Sequence, residues 1–217
     1  MCGRYTISIL LEEIEKYFGV EVPEIYQPRY NSAPSQFLPV ITNKEPNIVQ
    51  FFKWGLIPYW SKDPNIGHKM INARSETITE KPSFKNPFKT KRCLVIADSY
   101  YEWKNTEEGK IPYRIKLKDN NVFAFAGIWE IWNKEESIKS FSIITTKASD
   151  EISDLHERMP VILPYENYKA WLNNELKEDE ALSIIKDCLK DKFEYYQVSK
   201  KVNSPTNDNK DLILKIA

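Results

Sequence analysis

Cys93-Leu94-Val95-Ile96-Ala97-Asp98-Ser99-Tyr100-Tyr101-Glu102-Trp103 is the most hydrophobic run of the chain. Its composition, rich in β-branched and aromatic residues, predicts a strand over about 93–103. Further strands are expected at 111–118, 121–131 and 139–146, with Asn120-Asn121 as a tight turn between two of them. This group is the expected β core. Upstream, residues 4–9 and 47–54 also read as strands, and downstream Pro160–Leu163 and Phe193–Val198 do.

Helices flank this core. Leu10, Leu11, Ile14, Tyr17 and Phe18 form an apolar stripe that Ser8 is expected to cap and Gly19 to end. Residues 165–173 and 179–190 show the same spacing through Tyr168, Trp171 and Leu172, and through Leu182, Ile185 and Leu189. The prolines between Val22 and Val40 predict an extended, irregular segment. Gly55-Leu56-Ile57-Pro58-Tyr59-Trp60 opens a long aromatic loop that runs through Gly67 and His68, the latter expected at the surface. Met70–Thr77 reads as a short strand running into a helix start, and 82–92 as loop or short helix. Strands do not alternate with helices as βαβ units require, so the fold class is α+β and mainly antiparallel. The whole chain, 1–217, is expected to be one domain, with about 203–217 a polar, turn-prone tail.

Composition excludes several functions. Thirty-one basic and thirty-one acidic residues leave no net charge, hence no global field toward polyanions or anionic membranes. The balance is local instead: Lys53–Lys104 holds ten basic residues against five acidic ones, a net +5 that the remainder of the chain offsets. Cys2, Cys93 and Cys188 are far apart and lack CxxC spacing, which argues against a disulfide framework and against a metal site, and suits a reducing cytoplasm. No apolar run is long enough for a membrane span, and no signal peptide precedes Cys2. A monomer without cofactor is the default expectation.

Four residues carry chemistry. If Met1 is removed, Cys2 presents an α-amine and a thiol on adjacent carbons, a 1,2-aminothiol that condenses with aldehydes. Reference pKa values of about 7.7 to 8.0 and about 8.5 leave roughly a third of the amine and a tenth of the thiol reactive at about pH 7.5, so little tuning is expected. Asn72 sits between the apolar Met70-Ile71 and Ala73, where an amide also suits a backbone-satisfying role at a strand end. Glu102 ends an aromatic run; desolvation there raises a carboxyl pKa, whereas an exposed strand edge leaves it ordinary. His156, one of two histidines, precedes a buried-looking strand and suits proton transfer.

The phrases MCGRYT (1–6), YNSAPSQ (30–36), WGLIPYW (54–60), MINARSETI (70–78), RCLVIADSYYEW (92–103), FAGIW (125–129), IITTKAS (143–149), HERMPVIL (156–163) and VSKKVNSPTND (198–208) together resemble the SOS response-associated peptidase (SRAP) family. They fall in the same order across nearly the whole chain. The resemblance implies a β-barrel-like core and capture of abasic sites in single-stranded DNA as covalent DNA–protein crosslinks. It places the catalytic set on Cys2, Asn72, Glu102 and His156. Arg4, Trp60, Arg74, Trp103 and Arg158 are implied along the DNA path. Glu102 is then expected to open the sugar hemiacetal as an acid, Cys2 to form a Schiff base and close it to a thiazolidine, His156 to shuttle protons and Asn72 to position the sugar or the amine. Two other readings remain: a cysteine peptidase with Cys2 as nucleophile and His156 as base, and a non-covalent single-strand binding module using the basic, aromatic segment.

Overall fold

The computed structural model of the chain describes residues 2–107, 109–119, 122–133 and 137–216, so the Asn120-Asn121 turn lies outside the described residues. In chain order the first half comprises β1 (Tyr5–Ile7), α1 (Leu11–Phe18), β2 (Arg29–Ser32), β3 (Phe37–Thr42), β4 (Gln50–Trp54), β5 (Asn72–Arg74), α2 (Pro82–Thr90) and β6 (Arg92–Ala97). The second half comprises β7 (Ser99–Thr106), β8 (Gly109–Leu117), β9 (Phe123–Trp132), β10 (Ile138–Lys147), β11 (Arg158–Pro160), α3 (Tyr168–Trp171), α4 (Glu178–Lys186) and β12 (Phe193–Gln197). Short 3-10 turns join several of them. Among the described residues no helix is long and apolar enough to cross a membrane.

The fold is α+β, as the sequence predicts. Strands β10, β4, β3, β6 and β9 pair in that order, and β9 pairs back to β10, so five strands close into a barrel. Closure depends on one parallel pairing, Ser140 with Lys53 and Phe141 with Trp54, in an otherwise antiparallel ring. β5 and β11 extend it through β10. Close packing is demanded inside: a Cβ at Gly127 would lie 2.7 Å from Cys93 Sγ. A second, antiparallel sheet in the order β12-β8-β7-β1-β2 lies against the barrel. Its Tyr5 ring meets Trp54 and Phe125 edge-on at 5.0 and 5.7 Å. On its other face Tyr101 packs with Val198, Val202 and Leu212.

The single strand expected over 93–103 is in fact two, β6 in the barrel and β7 in the second sheet, broken at Asp98. Asp98 is buried, and its carboxylate accepts hydrogen bonds from the Thr6 hydroxyl and from the Ser8 amide and hydroxyl, with Arg114 3.9 Å away. Turning the chain at Asp98 is what lets β7 lie beside β1. Ser8 is thereby committed to Asp98 rather than to capping α1, whose entry is held instead by the Leu10 amide donating to Glu13 at 2.8 Å. Gly19 ends α1 at φ +66°, as expected of a left-handed C-terminal residue.

Two segments are more ordered than their composition suggests. The expected irregular stretch 22–40 contains β2 and most of β3. Pro39 is tolerated in β3 because pairing with β6 begins only at Val40, so its missing N–H costs no ladder bond on that side. The polar tail is anchored by buried Val202 and Leu212.

Arg92, fully buried at the start of β6, joins the helical layer to the barrel. Its guanidinium donates to Phe88 O and Lys89 O at the end of α2, to Trp171 O at the end of α3 and to Asn173 O just beyond it, at 2.6 to 3.0 Å. Four carbonyls depend on one side chain. Replacing Arg92 with Met is expected to destabilise the fold by about 3 kcal/mol, seen in urea as a lower midpoint at unchanged slope. A midpoint equal to the wild type would show that these carbonyls find water instead.

Candidate functional site

Cys2 is fully buried at the entry to β1, and its carbonyl accepts the Asn72 amide at 2.8 Å. The strand behind it is pinned on both sides, Tyr5 being paired with Ser32 on β2 and with Tyr100 on β7. The Tyr101 amide donates to Arg4 O at 2.9 Å, and the same antiparallel register carried one step further sets Glu102 beside Gly3. Three of the sequence-chosen residues therefore come together: Cys2, Asn72 and Glu102. Asn72 Oδ1 is buried and finds no hydrogen-bond partner among the described residues, leaving an acceptor in the site.

Electrostatics separate the two acids. Glu102 is 4 % exposed, and burial pushes its carboxyl up to about 7, so near neutrality it both gives and takes a proton. Burial also raises the Cys2 thiol far above its ordinary range, and the Glu102 charge adds to the effect. The near-ordinary thiol that an exposed N-terminus would supply is therefore not what the fold presents.

His156 is half-buried just before β11. Its Nδ1 accepts the Arg158 amide at 3.0 Å, which places the proton of the neutral ring on Nε2. Burial lowers its pKa, the Glu157 charge opposing the shift, so the ring is neutral at pH 7. His156 and Glu102 share a cavity of about 470 Å³ with Trp103, Asn105, Lys110 and Asn203. A larger cavity of about 1030 Å³, between α1 and α3, shares no lining residue with it.

The five residues expected along a DNA path divide in two. Arg4 donates to Asn31 Oδ1 at 2.8 Å and Val202 O at 2.9 Å, and its guanidinium lies 5.9 Å from the centre of the Trp103 ring. Arg158 grips Glu76 bidentately at 2.9 and 3.0 Å and donates to Thr145 O. Both guanidinium groups thus have work inside the fold. Trp103, half-buried, donates its indole N–H to Asn203 Oδ1 at 2.7 Å. Arg74 and Trp60 are exposed, the latter 49 %. His68 is also at the surface. Among the described residues no cluster of three or more His, Cys, Asp or Glu is placed to hold a metal.

Asn31 and Asn203 escaped the sequence reading. Asn31 is fully buried, and its amide donates to Val202 O, Ser204 O and Asn207 O at 3.2, 3.0 and 2.7 Å. Both lie within phrases quoted above, YNSAPSQ and VSKKVNSPTND, but the 171-residue separation of Asn31 and Val202 gives no sign that the two phrases meet.

A family model described as SOS response associated peptidase (SRAP) matches residues 1–205. The chain is 48 % identical to "Abasic site processing protein YoqW" of Bacillus subtilis (strain 168), over 98 % of this chain and 99 % of that one. It is 32 % identical to "Abasic site processing protein HMCES" of Gallus gallus, over 88 % of this chain and 67 % of the relative. Among solved structures, a protein from Bacteroides thetaiotaomicron superposes with a TM-score of 0.89 at 31 % identity, over the full length of both chains.

The raised Glu102 pKa carries a stability signature. The folded chain holds this proton more tightly than the unfolded one, whose glutamates titrate near 4.5, so the folded state is penalised as pH rises from there to about 7. Glu102→Gln should therefore gain on the wild type across that window, by on the order of 3 kcal/mol, and level off above it. Urea unfolding at both ends of the window measures this; a constant difference between the two proteins would mean that Glu102 titrates normally.

Proposed function

Since the chain belongs to the SOS response-associated peptidase (SRAP) family, we propose that it captures abasic sites in single-stranded DNA by covalent attachment through Cys2 once Met1 has been removed. The names of its relatives, abasic site processing proteins, support the substrate. The observation that carries the chemistry is a carboxyl with a pKa of about 7 enclosed beside Cys2. Among the described residues no other acid is so placed to serve first as donor and then as acceptor.

Protonated Glu102 gives its proton to the sugar ring oxygen, the C1′–O bond breaks, and the C1′ hydroxyl releases its proton to leave the aldehyde. The Cys2 amine adds to C1′, and the hydroxyl of the resulting carbinolamine takes up a proton, such as the one released by the C1′ hydroxyl, and leaves as water to give the protonated Schiff base, an iminium. The Cys2 thiol then loses its proton to the Glu102 carboxylate and its sulfur adds to the same carbon. The C=N electrons move to nitrogen, closing a five-membered thiazolidine and restoring the protonated acid. Asn72 orients Cys2 through its carbonyl and offers Oδ1 to the amine or the sugar. His156, neutral with its proton on Nε2, serves as a donor to oxygens that leave. The strand is held by cations and base-stacking rings in the +5 segment, with Trp60 and Arg74 at the surface.

A cysteine peptidase would require a thiolate paired with an imidazolium. Both shifts run the other way here, the thiol up and the imidazole down, which favours the crosslinking reading.

Protein that begins at Cys2, mixed with single-stranded oligonucleotides with and without an abasic site, should give a heat-stable, abasic-dependent band on a denaturing gel. Cys2→Ala should lose it, and Cys2→Ser should form no stable ring. Retention of the oligonucleotide without such a band would overturn the covalent reading in favour of simple binding. The rate should peak between about pH 7 and 8, where the amine is losing and Glu102 still retains its proton. Glu102→Gln should be slower by about a hundredfold and keep accelerating with pH; a variant with an unaltered alkaline limb would displace Glu102 as the acid.

A further inference from the structure

The cavity of about 470 Å³ that Glu102 and His156 share is lined by donors with no part in the covalent steps. Of its six lining residues Asn105 and Asn203 carry amides and Lys110 an ammonium. All three lie outside Lys53–Lys104, the segment whose charge and aromatic content suggest a strand path. The fold brings them together from two directions. Asn105 and Lys110 are direct cross-strand partners in the hairpin of β7 and β8, and Asn105 shares its face of β7 with Trp103. Asn203 comes from the far end of the chain. Val202 before it is buried against Tyr101, and the Val202 carbonyl accepts both Arg4 and Asn31.

The Trp103 indole decides which way the Asn203 amide points. An indole N–H only donates, so the atom it meets at 2.7 Å is Oδ1, and the Nδ2 group is turned away from the ring. Neither Nδ2 nor the Lys110 ammonium has an acceptor among the described residues. The neighbouring Asn207, by contrast, commits its amide to Lys201 O at 2.8 Å. Nor does Lys110 serve to neutralise Glu102: that carboxyl sits at about 7, where a close ammonium would hold it low. An oriented amide donor and an ammonium on one cavity suit an anion with two acceptor oxygens. Every nucleotide of a strand brings one in its phosphodiester.

Resting on the proposed capture of abasic sites, we infer that Lys110 and Asn203 Nδ2 form a subsite for the phosphodiester next to the abasic sugar. Trp103 sets the subsite by holding the Asn203 oxygen. The lesion is then recognised twice within one cavity, by its aldehyde carbon and by the phosphate on its backbone, and a small aldehyde without a phosphate gains nothing from the second contact. No bond to the phosphate is made or broken.

Single-stranded oligonucleotides with a tetrahydrofuran at the abasic position carry no aldehyde, so their fluorescence anisotropy reads binding without chemistry. Lys110→Ala, at an exposed position, should bind about tenfold more weakly, and its slope of log affinity against log salt should be shallower by about 0.7, the share of one single-strand phosphate. Asn203→Asp keeps the acceptor for Trp103 but puts a charge in place of the donors, so it should bind more weakly than Asn203→Ala. Replacing the phosphate on the 5′ or the 3′ side of the tetrahydrofuran by an uncharged methylphosphonate, in separate oligonucleotides, then locates the contact. At one of the two, wild-type binding should fall about tenfold and the deficits of Lys110→Ala and Asn203→Asp should vanish, whereas a distant methylphosphonate should add to them. Additive effects at both flanking phosphates, or a wild type that does not bind the strand, overturn the subsite. Asn203→Asp binding like the wild type would remove Asn203 from it and overturn it as drawn. A wild type that binds but gives no heat-stable band with true abasic DNA counts against the proposed capture, and the methylphosphonate comparison still decides the subsite.

Discussion

The carboxylate of Asp98 takes hydrogen bonds from Thr6 and Ser8, and the position of the N-terminal strand follows from that contact. A strand of three residues contributes little pairing energy by itself. Held by Asp98 at one end and laddered to Ser32 and Tyr100, it becomes an interior strand of a five-stranded sheet, between β2 and β7. The same residue ends β6 and turns the chain into β7. Were the hydrophobic run to continue straight, residues 99–103 would extend the barrel, and Glu102 would lie nowhere near Cys2.

The cost and use of burial meet at Cys2. An exposed aminothiol reacts with any aldehyde it encounters. Enclosed, its thiol keeps its proton, and sulfur chemistry becomes contingent on a neighbour able to remove it. In the proposed reading Glu102 takes that task, since the burial that hinders the thiol also raises the carboxyl toward neutrality. One apolar environment therefore sets both groups, and access to the sulfur is coupled to the protonation of the acid.

Local pattern made much of the architecture legible. Alternating and β-branched runs located the strands, and the stripe from Leu11 to Phe18 located α1, with its end at Gly19. The corner at Asp98 was not legible, because a continuous apolar run looks the same whether it serves one sheet or two, and only contacts with Thr6 and Ser8 distinguish them. Pro39 suggested irregular chain because composition does not reveal which edge of a strand is paired. Of the site, likeness to a known family supplied the grouping of Cys2, Asn72, Glu102 and His156; no spacing in the sequence brings residues 2 and 102 together. The altered acidity of Cys2 was hidden for a related reason. Reference values describe a solvated N-terminus, and burial depends on strands that lie a hundred residues away.

Asn31 and Arg29 hold the segment from Val202 to Asp208, contacts that span 171 to 179 residues of sequence. The same segment receives Arg4 and Trp103, the two side chains next to Cys2 and Glu102. A ribosome delivers Arg4 and Val202 at points 198 residues apart. Until residues 99–106 and 202–208 have been made, the segment around Cys2 has neither β7 beside it nor its contacts to Val202, and a truncated chain has Cys2 but not its enclosure. Vectorial translation thus places Cys2 in the nascent chain well before the strands and the segment that enclose it exist.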